Sequence, residues 1–544
     1  MQIEAHPAAV SFRQQAGRFR FKSISREHFA SKNRQFTRNA FISVENLVIK
    51  AVTLTSINIF FCSFLGRMVS QDNTKLVNFN AEIFRKIGAL ADEMQLPCYA
   101  VGGFVRDSLL QRKCKDIDIM VVGEPIAFAK AAKTKLNGFG FAVFERFRTA
   151  RLSLKDREMG EIELEFVGAR KESYSPESRK PITEVGTLQD DLSRRDFTIN
   201  ALAVSLNQAT FGKLTDLFNG RNDLSAQLLR TPLEPESTFS DDPLRMMRAA
   251  RFASQLNFNL EPEIFVAMQN MHRRIGIVSK ERVRDELFKI MASPKPSVGL
   301  DILYKTGVLK EILPELTAMA GVEQIDGVGH KDTFYHTLKV VDNISEMSEK
   351  FWLRMAALFH DVGKPKTKRF KEGHGWTFHG HDAVGAAMMQ RIFRKQKFPL
   401  DHLEYVQKLI RLHLRPIPLS GEEITDSAIR RLMFEAGEEL DDLMMLCRAD
   451  VTSKNPQKVE KIMSNFLLVE EKVSQVCEKD LLAKWRPPIN GVEIMEMFNL
   501  SEGKIVGLLK KSMENAIIDG VIPYDKEAAM RFLNDEFQKI NDKN

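Results

Sequence analysis

Cysteine is scarce in this 544-residue chain, tryptophan occurs three times, and no hydrophobic run reaches membrane-spanning length. The five cysteines form no CxxC pair, which argues against a disulfide scaffold and against a cysteine-ligated zinc site. The uncharged apolar run Ala51–Leu65 covers fifteen residues, too few for a helix that crosses a bilayer. We therefore predict a cytoplasmic protein of a reducing compartment with no membrane partner. The cysteines are Cys62, Cys98, Cys114, Cys447 and Cys477.

Disorder is also excluded, because 44% of the residues are hydrophobic and 28% are charged, enough for several domains with cores. The formal net charge of +7 is unevenly placed. Ten of the 79 basic and three of the 72 acidic residues lie in residues 1–67, so the rest of the chain carries 69 of each sign. A polyanionic partner must therefore be argued from motifs and not from net charge.

Residues 1–67 form a basic extension that differs from the chain after it. The segment contains no Asp, its apolar run lies fifty residues in, and Met68 opens an amphipathic pattern. An apolar run placed so far into the chain is not typical of a secretory signal, and the Arg-rich composition without Asp loosely resembles an organelle transit peptide. We hypothesise that Met68 is the working start and that residues 1–67 are not part of the working enzyme.

The residues after Met68 predict an α+β region. Helical spacing covers Leu76–Glu93, and Pro97–Val122 follows the order strand, Gly-rich turn, short helix, strand. A second helix is predicted at Pro125–Leu136, followed by an antiparallel pair at Ala142–Leu154 and Glu161–Val167. Beyond Pro232 the pattern is helical, with no convincing strand before the C-terminus.

The first site with recognisable chemistry lies between the first two predicted strands. Gly102 and Gly103 suit a turn at which backbone N–H groups approach phosphate oxygens at a helix N-terminus. Asp116 and Asp118 flank Ile117 in an apolar strand, so both carboxylates project from one face of the sheet. Paired carboxylates of this kind bind hard divalent cations such as Mg²⁺ and can position a triphosphate.

GGFVRDSLL together with KDIDIMVVG resembles the first motif of the class II tRNA nucleotidyltransferases, the CCA-adding enzymes, and of the related bacterial poly(A) polymerases. Further motifs of the family follow in the required order, and the match covers roughly residues 78–544. They are RRDFTINALA (194–203), DLFNGRNDL (216–224), DDPLRMMRAARF (241–252) and the tail-like RPPINGVEIMEMFNLSEGKIVGLLK (486–510).

The resemblance implies a fold, a set of boundaries and a set of site residues. The fold is a small mixed-sheet nucleotidyltransferase head followed by an elongated all-α neck, an HD body and a tail. The boundaries are an extension at 1–67, the head at 68–230, the neck at 231–305, the body with the HD domain at 306–475 and a tRNA-binding tail at 476–544. The implied nucleotide-binding residues are Gly102, Gly103, Arg106, Asp107, Arg194, Arg195, Asp196, Asn200, Asp242, Arg245 and Arg248.

Asp242 and Arg245 form a predicted nucleobase selector. Three residues apart at a helix start, they project from the same side. A carboxylate acceptor beside a guanidinium donor complements the exocyclic amine and ring nitrogen of cytosine and adenine, whereas uracil and guanine present the reverse pattern. The family pattern has Glu-Asp where this chain has Asp241-Asp242.

A third metal-site carboxylate is expected from the strand EIELEFVGAR. Glu161, Glu163 and Glu165 share one face, so periodicity does not choose among them. The family places the acid five residues before an R-x-E pattern, here Arg170 to Glu172, which implies Glu165. The resemblance also implies a polar loop at Tyr174–Gln189 that serves the change from C to A addition and is shortened in CC-adding relatives.

A second site is predicted in the helical part. His336, His360-Asp361 and Asp450 match the order of the HD phosphohydrolases, which implies a divalent transition metal or Mg²⁺. His381 and His413 are additional candidate ligands for a second metal. The expected chemistry is a phosphatase or cyclic phosphodiesterase reaction.

The sequence thus predicts template-independent addition of CMP and AMP to the 3′ end of tRNA, with CTP and ATP as substrates and Mg²⁺ at the catalytic Asp116, Asp118 and Glu165. A poly(A) polymerase is the nearest alternative, and an HD phosphohydrolase with a regulatory head is a more distant one. The sequence does not distinguish full CCA addition from addition of the terminal A, and it does not set the oligomeric state.

Overall fold

The computed structural model describes residues 82–157, 159–175, 178–325, 328–416, 425–453, 455–480 and 488–541. The predicted extension at 1–67, the proposed start at Met68 and the first part of the helix predicted from Leu76 lie outside these residues. Helix α1 is described from Glu82 to Glu93 and buries Phe84 and Ile87.

The head begins with the predicted strand, turn, helix and strand. Strand β1 (Cys98–Val101) runs into Gly102, whose φ of 73° and ψ of −134° strain any side chain but suit glycine. Helix α2 (Gly103–Leu109) therefore starts directly beside the end of β1, and strand β2 (Asp116–Val121) returns antiparallel to it. The register sets Val101, the residue before Gly102, opposite Asp118 of β2.

A seven-stranded mixed sheet carries this turn. Besides β1 and β2 it contains β3 (Phe141–Phe144), β4 (Thr149–Asp156), β5 (Gly160–Gly168), β8 (Leu202–Ser205) and β9 (Leu214–Asp216). Its order is β3-β4-β5-β2-β1-β8-β9, in which β2 and β5 are parallel and the other neighbours are antiparallel. The parallel register sets Asp116 opposite Glu163 and Asp118 opposite Glu165.

The two faces of this sheet differ as strand alternation requires. Ile117 and Ile119 of β2 are buried in the main core, where Phe128 of helix α3 (Pro125–Leu136) also lies. Met120, on the face of Asp116 and Asp118, packs into a smaller cluster. The polar face of β2 is thus left for chemistry while the apolar face anchors the strand.

Two segment predictions in the head were wrong. Ala142–Leu154 is not one strand, because a short 3-10 turn at Glu145–Phe147 and a left-handed Arg148 (φ 52°) divide it into β3 and β4. The segment Tyr174–Gln189 is not a loop. Strands β6 (Arg170–Ser175) and β7 (Ser178–Val185) pair as a hairpin, which satisfies backbone groups that a loop would leave to solvent.

Helices dominate the rest of the described chain, so the predicted α+β fold, a mixed-sheet head followed by helices, is confirmed. They are α4 (Leu188–Ser193), α5 (Gly220–Ala226), α6 (Pro235–Asp241), α7 (Leu244–Leu256), α8 (Pro262–Met271), α9 (Lys280–Met291), α10 (Pro296–Lys305), α11 (Val308–Ile312), α12 (Pro314–Thr317), α13 (Thr333–Met347), α14 (Phe351–Phe359), α15 (Lys364–Thr367), α16 (His381–Gln396), α17 (Leu403–Leu412), α18 (Asp426–Ala436), α19 (Leu440–Asp450), α20 (Pro456–Asp480), α21 (Gly491–Phe498), α22 (Lys504–Ile518) and α23 (Lys526–Asn541).

The prediction that no strand follows Pro232 was wrong in detail. Short pairs occur that have too few residues for an alternating pattern to be visible in the sequence. After Pro232, β12 (Gln324–Ile325) pairs with β13 (Val328–Gly329), and β14 (Arg369–Lys371) pairs with β15 (Gly375–Thr377); β11 (Asn259–Leu260) pairs with β10 (Leu228–Leu229), which precedes Pro232.

One buried apolar cluster runs from the head into α20, and the last three helices have a separate one. Leu509, Met513 and Leu533 are at the centre of the second cluster. No helix in the described part of the chain combines the length and the apolar composition that a bilayer crossing requires.

Candidate active site and candidate metal centre

A cavity of about 1020 Å³ between the head sheet and helices α7 and α9 gathers the residues predicted for nucleotide transfer. Asp116, Asp118 and Glu165 line it together, and Glu163 instead pairs with Arg151 at 3.1 Å. Gly102 lies behind Asp118, since a Cβ on it would be 3.4 Å from Asp118 Oδ2. The other predicted residues on the wall are Gly103, Arg106, Asp107, Arg194, Arg195, Asp196, Asn200, Asp242, Arg245 and Arg248.

Asp118 is the carboxylate whose ionisation the fold opposes most clearly. Burial raises its pKa to about 6, and the Arg195 guanidinium works against that rise. The neighbouring carboxylates of Glu165 and Asp116 raise the pKa of Asp118 further. Three crowded carboxylates with only oxygen donors fit Mg²⁺, because a bound cation relieves this repulsion.

Arg194 and Arg195 are held by one buried acid, Asp191 of α4. Arg195 donates to Asp191 through Nη2 at 2.9 Å, and Arg194 donates through Nε at 3.1 Å. Burial alone would raise the pKa of Asp191, but the two guanidinium groups outweigh it and lower that pKa. The pair of arginines is thereby fixed with Arg195 beside Asp118, where a triphosphate would need positive charge.

A second chain of hydrogen bonds links α2 to α7. Arg106 Nη1 donates to Asn200 Oδ1 at 2.7 Å, and Asn200 Nδ2 donates to Asp196 at 2.9 Å. Asp196 accepts in turn from Arg248 Nε at 2.6 Å. Although Asp196 is buried, Arg248 and Asn200 lower its pKa, so the carboxylate is ionised. Two nitrogens of the Arg106 guanidinium also donate to the Asp107 carboxylate, Nε to Oδ1 at 3.0 Å and Nη2 to Oδ2 at 2.8 Å.

The selector pair lies where α6 ends and α7 begins. Asp242 Oδ1 accepts from the N–H of Leu244 at 3.2 Å, and the Arg245 guanidinium donates to the backbone carbonyls of Thr238 and Arg194. Arg245 is therefore fixed by backbone groups on both sides. Its orientation comes from the fold and not from a flexible partner.

Two pairs of functional interest were not identified from the sequence. Arg282 of α9 lies 3.4 Å from Asp242 Oδ2, and Glu286 of the same helix pairs with Arg251 of α7 at 3.2 Å. Their spacing of four residues in SKERVRDELFKI is typical of an exposed intrahelical pair. Arg282 instead binds Asp242, between α6 and α7, and Glu286 binds Arg251 of α7, which only the tertiary structure reveals.

The cavity is lined by more basic than acidic side chains, although the net charge of the chain after residue 67 does not indicate a polyanionic partner. Ten basic side chains and six carboxylates line it within the described residues. The wall is therefore electropositive even though the chain after residue 67 is formally neutral. Such segregation favours polyanionic substrates.

The HD residues converge in a separate buried cluster. Asp361 lies at its centre, with Oδ2 3.2 Å from His360 Nε2 and 3.6 Å from His336 Nε2. Its other oxygen, Oδ1, is 3.3 Å from His381 Nε2 and 3.9 Å from His413 Nε2. Beside His336 and His360, Asp450 Oδ1 lies 2.8 Å from His336 Nε2. Two groups able to hold a metal ion thus share Asp361.

The outer nitrogens of these histidines fix the direction of the inner ones. The Nδ1 atoms of His360, His381 and His413 contact backbone carbonyls at 2.8, 2.7 and 2.6 Å. A carbonyl only accepts, so each Nδ1 carries the proton and each Nε2 faces the cluster. Within the described residues, His360 Nε2 and Asp361 Oδ1 are buried without a hydrogen-bond partner, a condition that metal ligation would satisfy.

The protonation of this cluster follows from its charges. Burial opposes a charged His360, but Asp361 and Asp450 outweigh it and raise its pKa to about 10. Burial and the charge of His360 lower the pKa of His413 to about 4. The charged His360, together with Lys364, whose Nζ lies 2.6 Å from Asp361 Oδ2, therefore offsets the two carboxylates, and a bound cation could take over part of this role.

Comparison with known proteins identifies the family of both sites. A family model described as "Poly A polymerase head domain" matches residues 98–230, and one described as "Probable RNA and SrmB- binding site of polymerase A" matches residues 257–319. An "HD domain" model matches residues 333–455. The nucleotidyltransferase and HD families are metal-dependent, in keeping with the carboxylate and histidine clusters.

An A-adding tRNA nucleotidyltransferase of Deinococcus radiodurans is 31% identical over 437 residues, which cover 79% of this chain and 93% of that protein. A CC-adding tRNA nucleotidyltransferase of Thermus thermophilus is 33% identical over 443 residues, 80% of this chain and 92% of that protein. A solved structure of a CCA-adding enzyme with CTP shares the fold, with a TM-score of 0.55 and 21% identity over 84% of this chain and 94% of that chain. The protein belongs to the tRNA nucleotidyltransferase family, in the class of CCA-adding enzymes.

Proposed function

We propose that this chain adds CMP and AMP to the 3′ end of tRNA without a template. The observation that carries the proposal is the meeting of two kinds of group in one cavity. Asp116, Asp118 and Glu165 form a carboxylate cluster for nucleotidyl transfer, and Asp242 with Arg245 forms a base selector that lines the same cavity. A transfer enzyme without base choice has no need of the second set.

Base choice by Asp242 and Arg245 follows from the direction of their hydrogen bonds. Arg245 donates and Asp242 accepts, so together they complement a ring nitrogen beside an exocyclic amine. Cytosine and adenine both offer that edge, while uracil and guanine offer a carbonyl beside an N–H. Arg282 orients Asp242 from α9, and the carbonyls of Thr238 and Arg194 orient Arg245. A preorganised pair of this kind discriminates by leaving its own groups unpaired against the wrong base.

The reaction joins the tRNA terminus to an α-phosphate. The 3′-hydroxyl attacks the α-phosphorus of CTP or ATP, a new P–O bond forms, and pyrophosphate leaves. When bound at Asp116, Asp118 and Glu165, Mg²⁺ would supply charge neutralisation and hydroxyl activation. Arg195 and Arg194 would bind the triphosphate, and the turn at Gly102 would present backbone N–H groups to it.

Both nucleotides are proposed as substrates because sequence identity alone does not choose between them. The A-adding and the CC-adding relative are nearly equally similar, at 31% and 33%. The hairpin of β6 and β7 spans the segment that the family shortens in CC-adding enzymes, which favours A addition. The same pair, Asp242 and Arg245, accepts either base.

The cytoplasmic location that the sequence predicts for this protein remains a prediction.

Two variants test the transfer site. Asp118→Ala should abolish incorporation of labelled CMP and AMP while tRNA binding, measured by filter retention, persists. Arg245→Leu should reduce the preference for CTP and ATP over UTP and GTP. Undiminished incorporation by Asp118→Ala would refute the assignment of the metal site. Unlimited growth of an A-tail by the unsubstituted chain would point to a poly(A) polymerase instead.

The HD cluster favours a second activity, metal-dependent phosphohydrolysis. Four imidazoles directed at two carboxylates suit a divalent transition metal, which when bound would supply an activated water. Lys364 Nζ lies 2.6 Å from Asp361 Oδ2 and provides a positive charge for a substrate phosphate. Turnover of 2′,3′-cyclic nucleotides with Ni²⁺, Mn²⁺ or Mg²⁺ tests this. Activity equal to that of His360→Ala with every metal would remove the proposal.

A further inference from the structure

Two exposed phenylalanines lie on the wall of the transfer cavity. Phe144 is 42% exposed and Phe147 is 62% exposed, and both line the cavity that contains Asp116 and Asp118. No step of the proposed transfer uses them. A third phenylalanine nearby, Phe139, is 54% exposed but does not line the cavity.

The sheet register puts Phe144 on the same face as the catalytic carboxylates. Asp118 faces Glu165, and Glu165 faces Arg151. Two residues further along these strands, Val167 of β5 faces Thr149 of β4, and Thr149 faces Phe144 of β3. Since side chains two residues apart share a face, these two rows run side by side across the same surface.

The distance along these rows suits an RNA end. Strand β3 is three strands from β2, which corresponds to roughly 14 Å at about 4.8 Å per strand. That is too far for the nucleotide whose hydroxyl reacts at Asp118. It is within reach of the unpaired nucleotides before it, and Arg151, a half-exposed guanidinium paired with Glu163, lines the cavity on the intervening strand.

The turn that carries Phe147 is held in an unusual conformation. Arg148 has φ 52°, a left-handed conformation that costs a non-glycine residue stability. Arg148 also binds Glu124 at 2.7 Å, and the Arg146 guanidinium lies 5.9 Å from the Phe147 ring centre. The turn is therefore fixed while its aromatic ring remains open to solvent, and it is flanked by positive charge.

We propose that Phe144 and Phe147 form a stacking platform for an unpaired base of the tRNA 3′ end, upstream of the reacting nucleotide. This inference rests on the proposed nucleotide addition. Aromatic rings bind unpaired bases through their faces with little sequence preference, and nearby arginines bind the phosphates. The platform positions the growing end, so it serves both C and A addition.

Kinetics of the full chain test the platform. The double variant Phe144→Ser/Phe147→Ser should raise KM for tRNA about tenfold, as loss of base stacking does, and leave KM for ATP within twofold. Phe144→Tyr/Phe147→Tyr should restore the tRNA KM because the rings remain. Phe139→Ser is the matched control, an exposed phenylalanine outside the cavity, and should resemble the unsubstituted chain.

A signal independent of turnover uses tRNA with 2-aminopurine at the penultimate position. Binding should quench its fluorescence in the unsubstituted chain and in Phe139→Ser, but not in Phe144→Ser/Phe147→Ser. An unchanged tRNA KM together with unchanged quenching in that double variant would overturn the platform alone. Failure of the unsubstituted chain to add any nucleotide would instead overturn the proposed function.

Discussion

Neutralising Asp118 should stabilise the metal-free protein while abolishing transfer. Burial raises the pKa of Asp118 to about 6 from its ordinary 3.8. Between these values the folded protein holds a proton that the unfolded chain has released, so stability falls as pH rises through this window. The difference corresponds to at most about 3 kcal/mol above pH 6, from about 1.4 kcal/mol per pH unit. Asp118→Asn keeps the shape and removes this cost.

The assay is thermal or urea unfolding in EDTA at pH 4 and pH 8, with circular dichroism as the signal that monitors unfolding. The variant and the unsubstituted protein should be similarly stable at pH 4, and Asp118→Asn should be the more stable at pH 8. Added Mg²⁺ should stabilise the unsubstituted protein more than the variant, because ligands that bind only the folded state raise its stability. Asp116→Asn, at an exposed position two residues away, should change stability little.

If Asp118→Asn were the less stable protein at pH 8 in EDTA, the charge of Asp118 would be contributing to the fold, for instance through Arg195, and the carboxylate cluster would need no cation. A stability difference of the same size at pH 4 and pH 8 would also contradict the reasoning, since it would not come from ionisation.

Three further changes have defined outcomes. Gly102→Ala should reduce nucleotide addition by at least about tenfold, because its Cβ would lie 2.7 Å from Arg195 Nη1 at a φ of 73°. The control is Gly160→Ala, where φ is 78° and the space around the residue is open. It should lose about 1–3 kcal/mol of stability in unfolding experiments through the same backbone strain but keep full activity. Arg282→Met should lower the preference for CTP and ATP over UTP and GTP in competition assays, because Asp242 loses its orienting partner, whereas Arg284→Met on the same helix should not. His360→Ala should lower the metal content measured by mass spectrometry and leave nucleotide addition within twofold, while the exposed His379→Ala should keep its metal; equal metal content in both variants would contradict the assignment of the HD cluster.

The head could be read from the sequence because its signals are local. A strand, a glycine at positive φ and a helix N-terminus follow one another within a few residues, and alternation alone sets Asp116 and Asp118 on one face. Alternation could not select among Glu161, Glu163 and Glu165. The parallel register opposite Asp118, together with the pairing of Glu163 with Arg151, places Glu165 on the cavity wall.

The supporting contacts could not be read in this way, because they join distant segments. Asn200 links Arg106 to Asp196, and Arg282 reaches Asp242 from forty residues away. Nothing in the local pattern distinguishes such residues from ordinary surface charges. The turn at Glu145–Phe147 was missed for a related reason: apolar residues continue on both sides of it, so the strand signal does not break.

The most direct test of the central claim is to offer the full chain tRNAs that end at the discriminator base, at C and at CC, each with CTP, ATP or both, and to read the added nucleotides by sequencing the products. When both CTP and ATP are supplied, we predict that CMP is added twice to the first tRNA and once to the second. One AMP is then added to each of the three tRNAs, and addition stops. Absence of CMP addition to the first two tRNAs, or AMP addition that continues past one residue, would contradict the account.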